Sequence, residues 1–127
     1  MQLHASKPPT HGAHCHCDNC RRAHGAAFVL WLSFETDTIE VFAGADDFAT
    51  YITETGAERR FCKNCGTTLT FAHDRWPGTI DLARGNFIDP IPDLEWRHTY
   101  ADRQPDWALN LERLTRCGGA DGMQILP

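Results

Sequence analysis

The 127-residue sequence lacks both a long apolar run and an excess of positive charge. No stretch approaches the roughly eighteen apolar residues that a membrane-spanning helix needs, so no membrane association is expected. Lys and Arg number 12 against 17 Asp and Glu, which gives a formal net charge of −5. Nucleic-acid-binding domains generally carry a basic face, so the acidic balance argues against a nucleic-acid partner.

The first ten residues also lack the apolar segment of a secretory signal peptide. We therefore expect a cytoplasmic location, where thiols stay reduced and disulfides are rare. The length predicts one domain. We assign residues 1–114 to that domain and the glycine-rich residues 115–127 to a C-terminal tail. Oligomeric state cannot be read from these features.

Helical periodicity is scarce, and short runs of β-branched and aromatic residues recur instead. Residues 26–34 form a near-continuous apolar run that is typical of a buried strand, and further strands are predicted at 38–42, 48–53 and 79–84. One helical turn is predicted over residues 18–24, with Asp18 as its cap and Gly25 at its end. Residues 107–114 fit a short helix or a strand equally well. The pattern predicts a mainly β, antiparallel domain with little helix.

Five of the six cysteines lie in two short clusters. The first contains Cys15, Cys17 and Cys20, and the second contains Cys62 and Cys65. Disulfides within such short spacings are strained or redox-active, whereas the same spacings suit a thiophilic metal, above all zinc. The sequence therefore predicts zinc as the cofactor.

The spacing leaves the arrangement of metal open. Three thiolates from the first cluster can hold a zinc with its fourth position free, which makes a reaction site, or a histidine or remote cysteine can close the site structurally. Cys62 and Cys65 are predicted at the tip of a hairpin, where a structural zinc is favoured over redox chemistry. A third arrangement joins Cys17, Cys20, Cys62 and Cys65 around one closed zinc and leaves Cys15 over.

At these residues the chain resembles the glutathione-dependent formaldehyde-activating enzyme family, which includes centromere-protein-V-like domains. The matching elements are His14–Arg22 with Gly25-Ala26, Phe61–Leu69, Asp74–Pro77, Arg97–Tyr100 and Trp107. The resemblance implies a small zinc-bound β domain of the β-tent type with two zincs. It implies that Cys15, Cys17 and Cys20 hold the catalytic zinc and that Cys62 and Cys65 supply half of a structural site.

The family pattern also includes a Cys-x-Cys-Gly segment ahead of the first cluster, which this sequence does not show. Cys62 and Cys65 are therefore expected to lack two of their usual partners. His4, Cys117 or a second subunit are candidate substitutes. We expect weak or incomplete metal binding at Cys62 and Cys65.

Zinc bound by three thiolates is a poor Lewis acid, so it suits a soft thiol ligand better than water activation. The resemblance implies that glutathione or a similar thiol adds to formaldehyde or another small aldehyde, formally the reverse of a carbon–sulfur lyase. Arg21 and Arg22 are candidates for binding a substrate carboxylate. The alternative is a non-catalytic β module stapled by zinc, which binds a partner.

Overall fold

The computed structural model describes residues 2–109 and 111–127, so Met1, Asn110 and the side chain of Phe42 lie outside the described part. Strands dominate the chain, joined by short 3₁₀ turns. The elements are β1 (Gln2–Ala5), β2 (His11–Cys15), α1 (Asp18–His24), β3 (Val29–Glu35), β4 (Ile39–Ala43), β5 (Phe48–Ile52), β6 (Glu58–Cys62), β7 (Thr68–Ala72), β8 (Thr79–Ala83), β9 (Trp96–Thr99), β10 (Cys117–Gly118) and β11 (Gln124–Ile125).

One seven-stranded sheet organises the domain in the order β5-β6-β7-β8-β3-β2-β9. Neighbouring strands are antiparallel except for β2 and β9, which are parallel. Two small ladders lie outside it, β1 with β4 and β10 with β11. The predicted mainly β, antiparallel class with little helix is confirmed. The parallel pair at the edge was not predicted, because nothing local marks a partner about eighty residues away.

Strand β3 is buried on both faces, which explains its continuous apolar run. Val29 and Trp31 pack on one face in a cluster with Cys15, Cys20 and Ala83. Leu32 and Phe34 of β3 project to the opposite face, where they form a second cluster with Ile80 and Leu82 of β8. One strand therefore supports the first cysteine cluster on one side and the main aliphatic core on the other.

Helix α1 begins directly after the second cysteine of the first cluster. Its N-cap is Cys17, whose Sγ accepts a hydrogen bond from the Cys20 amide at 3.3 Å. The prediction of Asp18 as the cap is wrong, because the Asp18 carboxylate pairs with Arg21 in the next turn instead. Gly25 ends the helix as predicted, with a left-handed φ of 58°. The cap thus turns the Cys17 sulfur toward the helix start.

The second cysteine cluster lies at the β6–β7 hairpin, as the sequence predicted. Gly66 has a φ of 75° in its turn, and its amide donates to the Cys62 carbonyl at 2.7 Å. Residues 106–108 and 111–113 form 3₁₀ turns rather than a helix or strand. Within residues 2–109 and 111–127, no helix combines the length and the hydropathy that crossing a membrane requires.

Candidate metal centre and adjoining cavity

The structure brings Cys15, Cys17 and Cys20 together. Cys15 ends β2, Cys17 caps α1 and Cys20 lies in the first turn of that helix. Their Sγ atoms all lie within 4.8 Å of one another. Three sulfurs tetrahedrally disposed at about 2.3 Å from a zinc are about 3.8 Å apart, so a small contraction seats the ion. The donor set and its geometry therefore fit a thiophilic metal.

The buried side chain of Arg59 supplies positive charge beside this cluster. Its Nη2 donates to Cys20 Sγ at 3.5 Å, and its guanidinium lies 5.0 Å from the centre of the Phe71 ring. Its Nη1 is buried and has no hydrogen-bond partner among the described residues. Three thiolates around a divalent cation carry one net negative charge, which this guanidinium offsets.

The thiols of the cluster differ in acidity because they hydrogen-bond to one another. Hydrogen bonds with Cys15 and Cys17, followed by that with Arg59, lower the pKa of Cys20 to about 2. Hydrogen bonds with Cys17 and Cys20, together with burial, raise the pKa of Cys15. One thiolate is thus stabilised before metal binds, and binding must release the remaining thiol protons.

A cavity of about 430 Å³ opens beside the three cysteines. Aromatic side chains form much of its wall, including Trp31, Phe71 and Trp76. Polar side chains also line it, among them Ser33, Arg59 and Asp81. An apolar cavity with a few convergent polar groups is typical of a small-molecule site.

A row of side chains crosses five strands along this cavity. The cross-strand pairs are Arg59 with Phe71, Phe71 with Asp81, Asp81 with Ser33, and Ser33 with His11. Residues paired in this way project on the same face of a sheet. The Ser33 hydroxyl donates to the Asp81 carboxylate, and burial raises the pKa of Asp81. An ionisable carboxyl therefore lies in the same cavity as the cysteines.

A second groove, of about 590 Å³, lies next to this cavity and contains Arg22 in its wall. The two cavities share Asn19, Thr53, Thr55 and Arg59 as lining residues. Arg22 is exposed, so its guanidinium is free to meet an anionic group in the groove. A ligand longer than a few atoms can extend from the cysteines toward Arg22.

Arg21 is placed differently from Arg22 and lines neither cavity. Its guanidinium pairs with Asp18 at 2.6 Å, donates to the His16 carbonyl at 3.2 Å and lies 5.9 Å from the Trp107 ring centre. These contacts hold α1 against the cysteine segment and the C-terminal region. A substrate-binding role for Arg21 stays a prediction.

Three histidines pack together behind the cysteines. His16 is 2% exposed, and its Nε2 lies 2.9 Å from His98 Nδ1. The His14 ring stacks on Phe28 and meets the His98 ring edge at 5.2 Å between centres. Burial, and then the neighbouring His98, lowers the pKa of both His14 and His16. A lowered pKa favours the neutral form of both rings near pH 7. The two rings pack against Phe28 and His98 beside the Cys15–Cys17 segment.

Cys62 and Cys65 do not gain a third ligand among the described residues. The group of three or more metal-ligating side chains found in that part of the chain contains only the first cluster. Cys65 is exposed, and its Sγ lies 3.1 Å from Thr67 Oγ1. His4 lies on β1 opposite Glu40, and Cys117 lies on β10. The arrangement of one closed zinc shared by both clusters does not form, and metal at Cys62 and Cys65 stays a prediction.

The sequence analysis missed Arg59, Ser33 and Asp81 as members of the site. Alternation in residues 79–84 was interpreted as a half-buried strand, which places Asp81 on the face away from the core. That face instead lines the cavity. The sequence does show Ser33 and Asp81 as polar residues between apolar neighbours on two predicted strands. It does not show that the two residues pair, because only the register of the sheet sets that pairing.

Comparison with known proteins places this geometry in a family. The family model for glutathione-dependent formaldehyde-activating enzyme matches residues 1–103. A Schizosaccharomyces pombe protein named as an uncharacterized lyase is 36% identical over 59 residues, which are 46% of this chain and 41% of that protein. The chain thus spans about two fifths of the length of this curated relative.

A solved structure supports the fold. The crystal structure of a Rhodobacter sphaeroides protein superposes with a TM-score of 0.59 at 19% identity, covering 75% of this chain and 90% of that one. At this identity the likeness concerns the fold, which is the small, mainly antiparallel β domain of the β-tent type expected from the sequence. The family model covers more than three quarters of the 127 residues, and the chain belongs to the glutathione-dependent formaldehyde-activating enzyme family.

Proposed function

We propose that this chain is a zinc-dependent enzyme of the carbon–sulfur lyase type. It adds a thiol, glutathione or a similar one, to formaldehyde or another small aldehyde. The observation that carries this proposal is the convergence of Cys15, Cys17 and Cys20 at the wall of a cavity of about 430 Å³. A site that only staples the fold needs no such cavity, whereas an enzyme needs space beside the unfilled ligand position.

Cys15, Cys17 and Cys20 are the residues that would hold zinc. Bound there, zinc would lower the pKa of a substrate thiol so that its thiolate forms near neutral pH. Arg59 compensates the negative charge of the cysteine set from a buried position. The aromatic side chains Trp31, Phe71 and Trp76 exclude water from the space beside the sulfurs.

The size of the two cavities suits two reactants of unequal length. A small aldehyde fits in the cavity, and the rest of the thiol substrate extends through the shared boundary at Asn19 and Arg59 into the groove. Arg22 is placed there to meet a carboxylate of that substrate. Holding thiol and aldehyde together is the main source of acceleration, and a modest acceleration suffices because the two also combine without help.

The test measures metal content and thiol–aldehyde exchange on wild type, Cys17→Ser and Cys117→Ser. Wild type and Cys117→Ser are expected to hold one tight zinc and to speed the exchange of glutathione with formaldehyde above the uncatalysed rate. Cys17→Ser is expected to lose both properties. Cys117 is an exposed cysteine on β10 and controls for the loss of any thiol.

The alternative of a non-catalytic zinc-stapled module is an outcome of the same test. It would be supported if wild type holds the zinc tightly but neither binds added glutathione nor alters the exchange rate. X-ray absorption at the zinc edge separates the two directly, because glutathione adds a fourth sulfur only if a ligand position is free.

A further inference from the structure

The function proposed above leaves the half-buried carboxyl of Asp81 without a role. Asp81 lies at the middle of β8, where it faces the cavity and accepts a hydrogen bond from Ser33 on β3. Ser33 is itself 3% exposed, so the pair sits below the cavity surface. The neighbouring Ile80 and Leu82 project to the opposite face of β8 and pack in the aliphatic core, so Asp81 alone carries a charge from the middle of this strand into the cavity.

We propose that Asp81, oriented by Ser33, is the residue that exchanges a proton with the aldehyde oxygen. This inference rests on the proposed function, because Asp81 lines the same cavity as the three cysteines that would hold the thiol-binding zinc. The carboxyl and the three cysteines line one continuous space, and no other aspartate or glutamate lines it in the described part of the chain.

The surroundings of Asp81 suit a carboxyl that changes its protonation state. Burial raises its pKa, while the Ser33 hydrogen bond and the nearby His11 act in the opposite direction. The titratable groups that act on it are His11 on β2 and Cys20 on α1. The other charged or titratable residues of the cavity are Cys15, Cys17, Arg59, His73, Arg75 and Tyr100. Opposing influences of this kind bring an acid toward the pH at which an enzyme works.

The step balances without any further reactant. The sulfur lone pair of the substrate thiolate forms the carbon–sulfur bond, and the carbonyl π electrons move to oxygen. Asp81 gives its proton to that oxygen, which yields the S-hydroxymethyl thioether, and the carboxylate regains a proton from solvent. The proton lost by the thiol when it ionised is thereby returned overall. In the reverse direction, the carboxylate removes the hydroxyl proton as the carbon–sulfur bond breaks.

The experiment compares Asp81→Asn with Asp74→Asn. Asp81→Asn keeps the shape of the side chain and its hydrogen bond to Ser33, but the amide cannot donate and take up a proton as a carboxyl does. Asp74 lies in the exposed β7–β8 connection outside the cavity and gives the same change in charge. The measurements are zinc content, glutathione affinity and the catalysed rate of glutathione–formaldehyde exchange by NMR.

General acid–base catalysis contributes about 10²–10⁴-fold, so Asp81→Asn is expected to lower the catalysed rate about 100-fold or to the uncatalysed background. Zinc content and glutathione affinity should stay at wild-type values, and Asp74→Asn should behave as wild type. An active Asp81→Asn overturns this inference and leaves the proposed function standing. A wild type that holds zinc without accelerating the exchange overturns the proposed function and this inference with it.

A second measurement does not depend on activity or on the variant folding. Carbon-13 NMR of the aspartate carboxyls in wild type follows the titration of Asp81 with and without bound S-methylglutathione as an unreactive probe. We expect the Asp81 pKa to lie above the ordinary value of an aspartate, because the side chain is largely withdrawn from solvent, and to shift when the probe fills the cavity. An Asp81 carboxyl that titrates at the ordinary value of an aspartate, whether or not the probe is present, would overturn the assignment.

Discussion

The two cysteine clusters share the Cys-x-x-Cys spacing yet lie in opposite environments. Cys20 is buried beside a buried arginine and has two cysteine neighbours, whereas Cys65 is exposed and has a threonine neighbour. Zinc affinity depends on the number of preorganised thiolates and on the charge around them, not on the spacing of two cysteines. The comparison teaches that the same motif predicts a metal site at both places, and that the fold gives only the first cluster a third sulfur and a buried cation among the described residues.

The sharpest test of this difference replaces the last cysteine of each motif. Cys20→Ser is expected to reduce zinc affinity by more than 100-fold, because loss of a direct ligand costs more than the 10–100-fold typical of supporting groups. Cys65→Ser is expected to leave one tight zinc in place. Zinc content after dialysis against a chelator measures both. Loss of the tight zinc in Cys65→Ser would contradict the comparison, because it would make the hairpin the principal site.

A second test concerns charge beside the first cluster. Arg59→Gln is expected to destabilise the zinc-loaded protein by about 3 kcal/mol, since it leaves the net negative charge of the buried cysteine–zinc set without a compensating cation. Arg60→Gln is the matched control: the next residue on β6 forms a more exposed ion pair with Glu58 at 2.7 Å. Such a pair contributes about 0–1 kcal/mol. Urea unfolding of both variants measures the difference, and equal effects would show that Arg59 does not compensate the cluster.

The third test is chemical and uses the metal-free protein. The Thr67 hydroxyl beside Cys65 lowers the pKa of that thiol, and exposure leaves it open to reagents. At a pH below the ordinary pKa of a cysteine, a lowered pKa means that more of the Cys65 thiol is ionised. Iodoacetamide should therefore modify Cys65 faster than the buried Cys15, whose pKa is raised. Mass spectrometry should show Cys65 modified many-fold sooner at pH 7, and Thr67→Val should slow it. Prior modification of Cys15 would refute the contrast.

The smallest effect compares the glycine that follows each cluster. Gly25 and Gly66 both have left-handed φ values, 58° and 75°, and an added Cβ would meet nothing within 4 Å at either. Alanine therefore adds only backbone strain of about 1 kcal/mol at each position. Thermal melting should show equal decreases for Gly25→Ala and Gly66→Ala. A much larger decrease for Gly25→Ala would show that the helix end is rigidly coupled to the metal centre.

Local patterns were sufficient to predict much of this fold. Strands such as Val29–Glu35 and Thr79–Ala83 follow from β-branched and alternating residues, and the short helix ends at Gly25 as its sequence indicates. The spacing of Cys15, Cys17 and Cys20 indicated a metal site but left its ligand set open, and the family resemblance favoured these three cysteines. Each of these features depends on interactions within a few residues, which a sequence displays directly.

The remainder depends on contacts between distant segments. Asp18 is a better cap than a cysteine by residue preference, yet Arg21 engages its carboxylate and the Cys17 sulfur takes the capping position. Arg59 and Asp81 enter the site only because β6, β7 and β8 pair in one register. A one-residue shift would turn both to the other face, and nothing local specifies that register.

The parallel pairing of β2 with β9 has a consequence for the order in which the protein is made. Residues 98 and 99 of β9 cover the Cys15–Cys17 segment. The His16 amide donates to the Thr99 carbonyl at 3.0 Å, and the His16 ring contacts the His98 ring. Those residues leave the ribosome more than eighty positions later. A nascent chain therefore carries these cysteine thiols uncovered until more than eighty further residues have been synthesised, and only then can β9 close over the segment.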